Sequence, residues 1–77
     1  MTETFQRIAE LAARRYGCDR AALGPEDDLF AALDIDSFEA LEFVTQLEVE
    51  LGVEIPDHEL LGVRTLGQLA QAIERRR

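Results

Sequence analysis

Apolar residues in this chain recur three and four positions apart, and no segment shows the alternation expected of a half-buried strand. Phe5, Ile8, Ala9, Ala12 and Tyr16 place a helix over Glu3 to Tyr16, with Gly17 as its stop. A second helix begins near Ser37 and ends at Gly52, and a last one starts at Thr65. There Thr65 and Gln68 form a capping box ahead of Leu66, Leu69, Ala70 and Ile73. Between these two, "VEIPDHELLG" reads as an extended entry at Ile55-Pro56 followed by one short helical turn through Leu61. The first and second helices are joined by "CDRAALGPEDDLFAALDID", broken at Gly24-Pro25, with Leu29, Phe30 and Leu33 as anchors that pack it down. The expected fold is all-α. It is a small four-helix bundle of three main helices plus a short third one, with a long first loop, in a single domain over residues 1–77.

A chain of 77 residues has a modest core and little room to wall off a deep active site. Its charge is −8 and unevenly spread: from Ala21 to Val63 there are twelve Asp and Glu and no Arg or Lys. Such a segment repels phosphates, which argues against nucleic acid and for a basic protein surface as partner. Arg75, Arg76 and Arg77 at the end of the last helix suit its dipole without any ligand. No apolar run approaches the length of a membrane span and no signal-peptide pattern is present, so a cytoplasmic monomer is expected. Cys18 has no partner for a disulfide and no neighbours at metal-ligand spacing.

On a helical wheel with Ala40 at zero, Phe43, Val44, Leu47 and Leu51 fall within about 60° and define the core face of the second helix. Phe38, Leu41 and Val49 land roughly 100° to 180° away, flanked by Glu42 and Glu48. A thin bundle covers one side of a helix, so this second stripe is expected to be exposed. Either the long first loop folds over this stripe, or its apolar centre and acidic rim make it a docking strip for a basic partner, and the docking strip is the expectation.

Ser37 stands where the acidic loop becomes this helix, beside Asp36, a favoured capping residue. Nucleophilic catalysis by Ser37 lacks partners, since His58 is the one histidine and no nucleophile elbow is present. A calcium loop starting at Asp34 fails at its fifth, sixth and twelfth positions, which are Phe38, Glu39 and Thr45. The chain thus has no catalytic and no metal-ligating residues of its own. What survives is a hydroxyl fit for attachment, at a helix N-terminus suited to a phosphate.

"LDIDSFEALEFVTQLEVELGVEIPD", Leu33 to Asp57, resembles the acyl carrier protein family: an Asp-Ser-Leu-type motif, an acidic helix, then a Gly-x-x-Ile-Pro stretch. The likeness extends to "PEDDL" at Pro25 to Leu29 and to the Thr-Leu start of the last helix. It implies that Ser37 receives 4′-phosphopantetheine from coenzyme A, by a separate magnesium-dependent phosphopantetheinyl transferase with Asp36 near the metal. It further implies that the arm's thiol holds an acyl or aminoacyl group as a thioester for fatty-acid, polyketide or related biosynthesis. Phe38, Leu41, Glu42 and Glu48 fall at family positions that dock acyl-loading and acyl-processing enzymes through basic patches, and Val49 continues the stripe. The space among Phe43, Val44, Leu47, Leu61 and Ile73 is where the resemblance would shelter an acyl chain. Two departures stand out: Phe38 replaces the usual Leu, and Asp34 replaces a Gly, which implies a different turn before the helix. The alternative reading is an unmodified acidic helical module that only binds proteins.

Overall fold

A computed structural model describes residues 2–76. Five α-helices follow one another: α1 (Glu3–Tyr16), α2 (Leu29–Leu33), α3 (Ser37–Leu51), α4 (Asp57–Leu60) and α5 (Leu66–Glu74), with a 3-10 turn at Arg20–Ala22. There is no strand among the described residues, and the all-helical architecture expected from the apolar spacing is present.

The ends of the long helices follow from their capping chemistry. Thr2 Oγ1 accepts from Phe5 N–H at the start of α1. Gly17 closes that helix in the left-handed conformation, and Gly52 does the same for α3. At α5 the capping box is complete, with Gln68 N–H donating to Thr65 Oγ1 and Thr65 N–H donating to Gln68 Oε1. The three long helices enclose a core led by Ile8, Leu11, Phe43, Leu47, Leu66, Leu69 and Ile73, all shielded from solvent. Leu51, at the last turn of α3, is only half-buried, so the core face of that helix is narrower at its end than the wheel implied.

The long first loop contains a helix that apolar spacing did not reveal. Asp28 caps α2, its carboxylate accepting from Ala31 N–H at 2.9 Å, and Leu29 and Leu33 are buried. At five residues, α2 is too short to stand on propensity; tertiary bonds hold it. Leu29 N–H donates to Arg64 carbonyl at 2.7 Å, Leu66 N–H donates to Asp27 carbonyl at 3.1 Å, and Asp28 and Thr65 form an antiparallel bridge. Gly67 N–H donates to the Pro25 carbonyl at 2.8 Å, an approach so close that a Cβ on Gly67 would lie 2.8 Å from that oxygen. The loop is therefore stitched to the start of α5. This fixes where α3 begins.

In the turn before α3, Asp34 stands where the resemblance has a glycine, and it takes the left-handed conformation, at φ 56° and ψ 51°. Its N–H closes α2 on the Phe30 carbonyl. Asp is among the few non-glycine types that visit this region readily.

At the other end, the last arginines do more than meet a helix dipole. Arg76 donates to Glu59 Oε2 from Nε at 2.8 Å and pairs with it through Nη2 at 2.6 Å, while Arg75 Nε lies 3.5 Å from Glu59 Oε1. The Glu59 side chain is only 17% exposed. These pairs tie α4 to the end of α5, beside the packing of Leu60 against the core. Arg77 lies outside the described residues.

Candidate functional site

Ser37 is the first residue of α3 and is exposed. Asp36 is the N-cap, in extended backbone, and its Oδ1 accepts from Glu39 N–H at 2.8 Å. The cap turns the Asp36 carboxylate inward over the helix start and leaves the Ser37 hydroxyl without a hydrogen-bond partner among the described residues. An unoccupied hydroxyl at the open end of a helix is reachable by an external catalyst. The exposed N-terminus of α3 favours negative charge there by about 0.3–1 kcal/mol.

Beside Ser37 opens a cleft of about 520 Å³, walled by Leu29 and Phe30 of α2, Ala40, Leu41 and Val44 of α3, and Leu60 of α4. Its lining is mostly apolar, with Asp57 and Arg64 as the charged members. Of the residues expected to shelter a chain, Phe43, Leu47 and Ile73 are sealed in the core, while Val44 and the 87% exposed Leu61 line this cleft. The apolar space runs between α2, α3 and α4, with Ser37 among its lining residues. His58 is exposed on α4 and Cys18 is half-buried before the 3-10 turn; neither lines this cleft.

The second stripe of α3 is where the wheel placed it. Phe38 is 70% exposed, Leu41 55% and Val49 78%. Leu41 borders both this face and the cleft, so the stripe and the Ser37 end of α3 are continuous. The flanking acids are less free than their spacing implied. Glu48 Oε2 accepts the Ile55 N–H at 2.7 Å, which ties the chain after α3 back onto the helix. Glu42, 51% exposed, has Arg15 of α1 at 3.9 Å.

Arg14 and Arg15 reach across from α1 to a row at four-residue spacing on α3, Glu42, Gln46 and Glu50. Arg14 Nη2 donates to Glu50 Oε1 at 3.0 Å, and Gln46 Nε2 donates to Glu50 Oε2 at 3.2 Å. The Arg14 hydrogen bond holds the Glu50 carboxyl below the usual carboxylate value, over the opposing effect of desolvation and with help from Gln46. The α1 arginines crossing to α3 were missed from sequence. Nothing local to either helix signals that they meet.

Among the described residues no group of His, Cys, Asp and Glu is placed to hold a metal ion, and no helix is long and apolar enough to cross a membrane.

Comparison with known proteins agrees with this layout. Residues 6–73 match the family model described as the phosphopantetheine attachment site. An acyl carrier protein of Lactobacillus acidophilus is 35% identical over 72 residues, covering 94% of this chain and 90% of the relative. Acyl carrier protein 2 of Ralstonia nicotianae is 33% identical over 73 residues, 95% of this chain and 90% of that protein. The meromycolate extension acyl carrier protein of Mycobacterium tuberculosis is 36% identical over 73 residues, and there the match spans 95% of this chain but only 64% of the relative.

Proposed function

The chain belongs to the acyl carrier protein family, and from that premise we propose that Ser37 is its attachment residue and α3 its docking helix. The observation that carries the proposal is an exposed, unbonded hydroxyl at the first position of a capped helix, opening on an apolar cleft. Family membership brings 4′-phosphopantetheine, whose thiol supplies an activated thioester for acyl groups when the arm is in place.

The chain's own residues prepare for that arm without reacting. Asp36 fixes the start of α3 and, as the neighbour of Ser37 in the chain, is the carboxylate that would stand near a transferase's divalent metal. The left-handed turn at Asp34 sets the direction in which α3 leaves α2. The cleft walls, Leu29, Phe30, Val44 and Leu60, offer an open, largely apolar trough that suits an acyl chain by its chemistry. Phe38, Leu41 and Val49 offer the contact surface for enzymes that load or process the cargo, with Glu42 as the charged rim. The partners are enzymes with basic patches, and the pathway belongs to fatty-acid, polyketide or related biosynthesis.

Intact mass after incubation with coenzyme A and a broad-specificity phosphopantetheinyl transferase tests the proposal. The expected result is the gain of one phosphopantetheinyl group, abolished in Ser37→Ala. No gain with any transferase would overturn it and leave an unmodified protein-binding module. A thiol stain is unsuitable because Cys18 is present.

A further inference from the structure

The docking face carries one cation, and it comes from another helix. A shallow groove along α3 is lined by Phe38, Leu41, Glu42, Gln46 and Val49, and by Arg15 of α1. Arg15 is held there by neutral groups: Nη1 donates to Gln46 Oε1, and the guanidinium carbon lies 5.5 Å from the centroid of the adjacent Tyr16 ring. Its contact with Glu42, at 3.9 Å, is the longest of the ion pairs among the described residues. Position is thus set by Gln46 and Tyr16, while the pairing with Glu42 is loose and exchangeable.

Occupancy of the groove is constrained by charge. Between Ala21 and Val63 the chain has twelve Asp and Glu and no Arg or Lys, so the surface that complements this face is a basic one. A partner's cation at Glu42 would stand beside Arg15, 3.9 Å from the same carboxylate and well inside the screening length of about 8 Å at physiological salt. We infer that Arg15 is a built-in counter-ion of the docking face, occupying Glu42 until a basic partner displaces it and so weakening docking. Arg14 does not share this role, because Glu50 lies outside the groove and is further committed to Gln46. The inference rests on the reading of α3 as the docking helix.

The test measures docking apart from modification. In a Ser37→Ala background, binding to a phosphopantetheinyl transferase with a basic docking surface is read by fluorescence anisotropy, without coenzyme A, at low and high ionic strength. Arg15→Met, which keeps the aliphatic stem, is expected to tighten binding roughly two- to fivefold at low ionic strength, the range set by exposed ion pairs. The gain should shrink in high salt and vanish in a Glu42→Gln background, while Arg14→Met leaves affinity unchanged. Thermal melts verify folding, with Arg15→Gln as the substitute if Arg15→Met melts early. Unchanged or weaker binding of Arg15→Met overturns the inference, and so does absence of binding by the parent. Modification of the unsubstituted chain, read by mass, decides the attachment proposal separately.

Discussion

Glu48 offers the sharpest test of how far spacing alone can assign a role. On the wheel it is a rim acid of the docking stripe; in the fold its carboxylate accepts the Ile55 N–H at 2.7 Å, and its carbonyl accepts from Gly52 and Val53. The segment so tied buries Val53 and Ile55 against the core. Glu48→Ala removes the acceptor and strands a part-buried N–H, and a hydrogen bond to a charged group is worth about 1.5–3 kcal/mol. For a domain of this size, each 1 kcal/mol lowers the melting midpoint by roughly 4–8 °C, so the lower end of that range gives about 6–12 °C. Glu48→Gln keeps an acceptor oxygen and should lose about half as much or less. The assay is a thermal melt followed by circular dichroism, paired with transferase binding at a temperature where all variants are folded. Glu48→Ala is expected to melt early and to bind within twofold of the parent. An unchanged midpoint with a tenfold loss of binding would refute the reasoning and make Glu48 a rim contact alone.

Leu47, 1% exposed, should lose about 2–5 kcal/mol on substitution by Ala in urea unfolding, whereas Leu41→Ala on the open face should lose well under 1 kcal/mol. Asp34→Gly should leave the melting midpoint unchanged or raise it, because glycine meets no steric cost at φ 56°; Asp34→Val should lower stability by about 1–2 kcal/mol. Since the folded-state Glu50 carboxyl titrates below its ordinary value near 4.5, its contribution to stability is present above that value and lost as pH falls through the depressed one. Acid unfolding curves of Arg14→Met should therefore flatten relative to the parent in that acidic window, with little change in slope near neutrality.

What the sequence disclosed and what it withheld divide along the range of the interactions. Gly17, Gly52, Thr65 and Gln68 act within one helical turn, so the ends of α1, α3 and α5 could be read from neighbours in the chain. The exposed stripe of Phe38, Leu41 and Val49 followed from the 3.6-residue period once the opposite face was assigned to the core. Helix α2 escaped because five residues carry no period, although Asp28 ahead of Leu29 was a usable capping signal. Arg15 with Glu42 and Arg76 with Glu59 depend on which helices pack together and could not be foreseen. Val44 and Leu61 line the cleft as expected, whereas Phe43, Leu47 and Ile73 sit in the sealed core, because which part of a core face borders a cleft depends on the neighbouring helices.

The pairing of Glu59 with Arg75 and Arg76 bears on how this molecule is handled at the bench. An affinity handle or fluorescent fusion placed directly after those arginines is expected to disturb these pairs and loosen α4, a wall of the cleft that Ser37 lines. Fusion ahead of Thr2, where α1 carries its own cap, leaves that wall untouched.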